Sequence, residues 1–301
     1  MVKLEQAFAS DLRQLLATES EVLRKQNKGF TYALDEIAGH LSRYDPAPSP
    51  ILTTIDLKGQ DYATYFYAAY SDNQDLDKSI LVYKTVKSLV RYILLMDRYY
   101  EVGNKRYERI ARGLLRTIKA THEGFLKYSI NFALEQFWPF WDFEQTVKKL
   151  LIKGHSFTFK EIRHFNLFKS SDAPIIYARV LDNELQSFNP NVGTILHFNQ
   201  ALLDIEDDFE DIEEDLRDQM PNLFLLAASE HVPFSKLVND ASHARKLIMT
   251  NDGVLDSMLS LIQQYNGHIR EIGVPPNFAF LKHLSRDYAD SLLRTLGVQR
   301  Q

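Results

Sequence analysis

Six aspartates, Asp204, Asp207, Asp208, Asp211, Asp215 and Asp218, lie within the run ALLDIEDDFEDIEEDLRD, residues 201–218, which holds ten acids and one base. At ~100° per residue on a helix they fall in one stripe roughly 100° wide. Glu206, Glu210 and Glu213 lie on the far side with Arg217, and Leu202, Ile205, Phe209, Ile212 and Leu216 form an apolar seam between the two. A solvated helix face has no need to sort short acids from long ones, and aspartate is the poorer helix former of the two. A row of short carboxylates beside an apolar seam is therefore expected to point into a cavity. Mutual repulsion there calls for cations, and hard cations suit oxygen ligands best. Asp207-Asp208-Phe209-Glu210-Asp211 is a DDxxD sequence, and Asp215 follows four residues later. Positions i, i+4 and i+8 drift by about 40° per step along one helix face. Asp207, Asp211 and Asp215, with Asp208 beside them, are thus the expected ligands for Mg²⁺ or Mn²⁺, which bridge carboxylates to phosphate oxygens.

Gripping a diphosphate needs a second acidic pair. Asp97 and Glu101 stand at i and i+4 where an apolar helix ends, and Lys105 and Arg106 follow as phosphate donors. Glu108 extends that face if the helix continues through Gly103. Lys169 precedes Ser170 and Ser171, candidate caps of a helix beginning near 171, where a lysine opposes the dipole unless an anion binds. Aromatic residues cluster at Tyr62–Tyr67 and Phe137–Trp141. They suit a helix-bundle core, or the lining of a pocket for an apolar, cationic ligand. His164 reads as structural.

The elements that must position these groups are helical. Glycine and proline are scarce, 12 and 10 in 301 residues, and helical periodicity dominates the chain. Helices are expected near 3–26, 30–43, 60–71, 75–102, 104–122, 125–150, 158–166, 171–187, 191–219, 222–230, 233–249, 252–272 and 277–296. The segment Asp45-Pro46-Ala47-Pro48-Ser49-Pro50 is extended, and neither it nor Gly273-Val274-Pro275-Pro276 is long or polar enough for a domain linker. The expectation is an all-α fold, one domain over 1–301, built as a single large helical bundle around a central cavity.

Composition limits the partners. The net charge is −5, and the acidic run alone carries −9, so the remainder sums to +4. That pattern gives no support to nucleic-acid binding. The absence of cysteine excludes disulfides and thiolate chemistry. Met1-Val-Lys-Leu-Glu lacks an apolar leader core, and no run approaches a transmembrane length, so a cytoplasmic protein is expected.

The segment Gln200–Asp215 resembles the second aspartate-rich motif of the class I isoprenoid synthases, which include prenyl diphosphate synthases, squalene and phytoene synthases and terpene cyclases. Asp207, Asp211 and Asp215 match the ligand spacing of the cyclase metal motif. Gln200 resembles the glutamine before that motif in squalene and phytoene synthases. Lys169-Ser170-Ser171 falls where prenyl synthases carry a Lys-Thr pair, and Arg286-Asp287-Tyr288 where cyclases carry an Arg-Tyr pair. The first motif departs from the family, with Asp97-Arg98-Tyr99-Tyr100-Glu101 in place of DDxxD. The resemblance implies an enzyme that uses Mg²⁺, held by Asp97 and Glu101 as well as by Asp207, Asp208, Asp211 and Asp215, to ionise an allylic isoprenyl diphosphate, with Asp97, Glu101, Asp207 and Asp211 as its catalytic carboxylates. Lys105, Arg106, Lys169 and Arg286 would neutralise the leaving group, and a homodimer is common in the family. The sparse first motif favours cyclisation over chain elongation. The alternatives are a prenyl transferase and a non-catalytic helical homologue or subunit. A carboxylate-bridged di-iron bundle, which needs paired Glu-x-x-His runs, is set aside.

Overall fold

Thr158, Asn189, Asn222 and Asn251 each stand just before a run of helix-patterned residues. Each accepts a hydrogen bond from a backbone N–H of the first turn that follows. Such caps satisfy donors that have no partner inside the helix. The computed structural model describes residues 88–89, 91–100, 103–121, 127–171, 189–239, 241–275 and 280–297. Every regular element among them is helical, in agreement with the all-α reading. None of the described helices is long and apolar enough to cross a membrane.

The helices are α1 (91–100), α2 (Lys105–Thr121), α3 (Lys127–Ile152), α4 (Phe159–Lys169), α5 (Pro190–Glu210) and α6 (Ile212–Asp218). Then come α7 (Leu223–Ala228), α8 (Phe234–Asn239), α9 (Ala241–Met249), α10 (Asp252–Glu271) and α11 (Phe280–Thr295). The chain divides into two compact units, 1–130 and 131–301.

In the first unit, Leu89, Ile93, Leu95 and Met96 are buried, as are Ala111 and Ile118 of α2. Helical structure does not run through Gly103. This glycine has φ 69°, the left-handed conformation that ends helices at low cost for a residue without Cβ, and its N–H donates to Tyr99 O at 2.8 Å. Asn104 then accepts from Arg106 N–H at 3.0 Å and α2 begins. Glu108 therefore belongs to a new helix, where it pairs with Arg112 at 2.7 Å.

In the second unit α5 is the central helix, packed against α4, α7, α10 and α11. It contributes Val192, Ile195, Leu196, Ala201, Leu202 and Ile205 to the core. Every residue of α7, Leu223–Ala228, is buried, as expected of a short helix that is apolar all round. The expected helix 191–219 is two helices. Asp211 leaves helical geometry at φ −94°, ψ 8°, although its N–H still reaches Asp207 O (2.9 Å) and its carbonyl still accepts from Asp215 N–H (2.8 Å). The expected helix 233–249 is likewise divided into α8 and α9.

Candidate functional site

The aspartate row is split by its surroundings. Asp204 and Asp208 are buried, Asp211 and Asp215 are half-buried, and Asp207 and Asp218 are exposed. Among the glutamates, Glu210 and Glu213 are exposed as expected, but Glu206 is half-buried and accepts from Ser291 Oγ of α11 at 3.2 Å. Burial pushes the Glu206 carboxyl up, and the Ser291 bond opposes that push.

Helix α4 delivers Lys169 at its last position, where its ammonium lies 3.0 Å from Asp208 Oδ1. The side chain is 26% exposed for Lys169 and 3% for Asp208. Burial works against the charged lysine, but the carboxylates of Asp208, Glu144, Asp204 and Asp215 outweigh it and hold its pKa well above the usual lysine range. Lys169 is therefore a fixed cation and a poor nucleophile at neutral pH. The other Asp208 oxygen accepts from Leu223 N–H at 2.8 Å, at the start of α7. Asn222 adds two more ties, donating from Nδ2 to Asp208 O (2.6 Å) and to Asp215 Oδ2 (2.8 Å). Its own Oδ1 caps α7 through Phe224 N–H at 2.9 Å.

Asp204, one turn before Asp208, is held from both sides. Ser170 Oγ donates to Oδ2 at 2.5 Å and Gln200 Nε2 to Oδ1 at 2.7 Å. Ser170 and Gln200, singled out in the sequence for other reasons, thus meet at this carboxylate. Asp215 sits where burial and the nearby charge of Asp208 raise its carboxyl from 3.8 to about 7, against the lowering effects of Asn222 and Lys169. Burial first, and the neighbouring charge second, thus let a proton compete for Asp215 near neutrality.

The bend between α5 and α6 is covered by a residue the sequence reading missed. Arg245 of α9 places its guanidinium 4.6 Å from the Phe209 ring and donates to Glu210 O at 3.4 Å. Lys148 of α3 donates to Asp218 O at 3.1 Å and so supports the C-terminal end of α6. Asn222 carried a legible signal, a polar residue directly before a six-residue apolar run. Arg245 carried none, because a lone arginine on an amphipathic helix looks like a solvated charge.

The remaining sequence-derived candidates are dispersed. Asp97 is half-buried on α1, and Lys105 and Arg106 are exposed in the first turn of α2, all within the first unit. Glu101 lies outside the described residues, as do Tyr62–Tyr67. Arg286 is exposed on α11, and Tyr288 beside it is buried. Of the aromatic cluster around 137–141, Trp138 is 48% exposed and meets Trp141 edge-on at 6.1 Å. One Glu-x-x-His run does occur, Glu161–His164. Glu161 serves the capping box of α4 with Thr158, and His164 is exposed with its ring edge-on to Phe143. Neither is placed as a di-iron ligand.

Among the described residues, no three Asp, Glu or His side chains come close enough together to hold a metal ion by themselves. No protein-family model matches this chain, and neither curated proteins nor solved structures match it.

Proposed function

We propose that the chain is a class I isoprenoid synthase-like enzyme that ionises an allylic isoprenyl diphosphate with Mg²⁺, then cyclises or transfers the resulting cation. What supports this reading is the placement of Asp204 and Asp208 on the second unit's central helix, Asp211 at the break after it and Asp215 on α6, all buried or half-buried. The donor chemistry fits the ion, since every candidate ligand is a hard oxygen. Mg²⁺ is commonly held by one or two carboxylates with waters and substrate phosphates completing its shell, so a three-residue protein cage is not required. Asp208 has both oxygens engaged by Lys169 and Leu223, and Asp204 has both engaged by Ser170 and Gln200. Asp207, Asp211 and Asp215 are the proposed metal ligands. Bound Mg²⁺ would draw charge from the departing diphosphate.

The protein's own part is electrostatic and steric. Lys169 offsets the charge of Asp208 at the buried end of the row, and Asn222 fixes Asp208 relative to Asp215. Arg286 is the proposed diphosphate contact within the second unit. Aromatic side chains would keep water from the cation. The cytoplasm is the proposed location, and a homodimer the proposed assembly.

A second reading rests on the same bonds. Because the oxygens of Asp204 and Asp208 are used internally, the row also suits a non-catalytic homologue in which it serves only to join α4, α5 and α7. Incubation with geranyl, farnesyl and geranylgeranyl diphosphates and Mg²⁺ separates the two. The enzyme releases diphosphate together with an extractable isoprenoid product, and the non-catalytic protein releases neither.

A further inference from the structure

The first unit carries a basic face that the proposed activity does not use. Helix α2, KRYERIARGLLRTIKAT, holds Lys105, Arg106, Arg109, Arg112 and Arg116, all exposed, against a single acid, Glu108. At ~100° per residue, Lys105, Arg109, Arg112 and Arg116 fall within about 60° of one another. With ~1.5 Å rise per residue, the row they form is about 16 Å long. The apolar positions lie on the other side. Ala111 and Ile118 are buried, and Leu114 between them is half-buried. The helix is thus packed on one side and charged on the other.

Little in the unit offsets this charge. Glu108 is taken up by Arg112, 2.7 Å away on the same helix. Among the described residues, no hydrogen bond or ion pair engages the side chains of Lys105, Arg106, Arg109 or Arg116. Two features make the row unfavourable by itself. Lys105 with Arg109, and Arg112 with Arg116, are like charges at i and i+4, and Arg109 with Arg112 are like charges at i and i+3; such pairs destabilise a helix. Lys105 and Arg106 also stand in the first turn, where a cation opposes the helix dipole. A dense array of anions laid along the row would relieve both.

We propose that the basic face of α2 docks on an anionic lipid surface. A plane of phosphate groups meets every cation of a straight row on one helix at once, and guanidinium groups bond phosphate oxygens in pairs. Each Lys or Arg brought close to an anionic leaflet strengthens binding roughly fivefold. The helix lies on the headgroups and not among the acyl chains, because its apolar side is already used in the core. A protein partner fits less well. Such an interface needs an apolar centre, and no large apolar side chain of α2 is exposed. Ion pairs left in solvent contribute little by themselves. A nucleic acid also fits less well. α2 has no Asn or Gln to read base edges and no exposed aromatic ring on which a base could stack. This inference concerns the first unit alone and stands whether or not the protein acts on diphosphates.

The test is sedimentation of the full chain with phosphatidylcholine vesicles, with and without phosphatidylserine, at low salt and at about 1 M salt, where charge is screened within about 3 Å. Binding is expected only with phosphatidylserine present, and is expected to be lost at high salt. Arg109→Gln combined with Arg116→Gln removes two exposed charges and should weaken binding about 25-fold, with a melting curve to check that the variant is folded. Arg109→Lys combined with Arg116→Lys keeps the charges and should keep most of the binding. No binding to phosphatidylserine vesicles, or equal binding by the wild type and the folded Gln variant, overturns the proposal. Tighter binding to double-stranded DNA than to the vesicles at the same salt, lost in the Gln variant, also overturns it and makes nucleic acid the occupant.

Discussion

Asp207 and Asp208 are neighbours of the same residue type on the same helix, yet one is exposed and the other is buried, at 2% accessibility. The difference lies in what faces them. Asp208 meets Lys169 of α4 and the first N–H of α7, so its charge is offset by an ion pair and by a helix start. Asp207 lies about 100° further round the helix, on the solvent side. A carboxylate row is thus two parts in one sequence, a buried part that joins helices and an exposed part that faces solvent.

The largest expected effect comes from breaking the buried part. Asp208→Ala leaves Lys169 without its closest carboxylate and Leu223 N–H without an acceptor, and should cost about 3–5 kcal/mol, as loss of one partner from a buried pair does. Urea unfolding measures it, and a loss below about 1 kcal/mol would make Asp208 an ordinary surface acid. Asn222→Ala removes the cap of α7 and the tie between Asp208 and Asp215. An intermediate loss of about 1–2 kcal/mol is expected in the same assay.

A further effect concerns pH. The Asp215 carboxyl rises from 3.8 to about 7 on folding, so between those values the folded chain holds a proton that the unfolded chain has lost. Its contribution to stability is full below about pH 4 and is lost as the pH rises through about 7. Asp215→Asn should flatten that part of the stability profile. An unchanged slope between pH 4 and 7 would show that Asp215 titrates like an exposed acid.

The all-helical class, and most helix positions among the described residues, were legible because periodicity and caps are local signals. Asn189-Pro190 marks the start of α5, and the Thr158…Glu161 pair marks that of α4. The break at Asp211 was not legible, since no glycine or proline stands there and i,i+4 bonding continues on either side of it. The six-aspartate stripe assumed a straight helix over 204–218, and that assumption hid the division between buried and exposed members. Lys169 was singled out as a lysine at the start of a helix that would need an anion; it stands instead at the last position of α4, with Asp208 3.0 Å from its ammonium.

The smallest expected stability change is at the exposed end, where surface substitutions usually stay within about 0.5 kcal/mol. That makes the exposed end the cleanest place to test function. The decisive measurement is Mg²⁺-dependent diphosphate release from allylic isoprenyl diphosphates by the wild-type chain and by Asp207→Ala combined with Asp211→Ala, with melting curves confirming that both are folded. The account predicts release by the wild type and its loss in the folded double variant. Equal release by the two proteins, or none by the wild type with any of the three substrates, would contradict it.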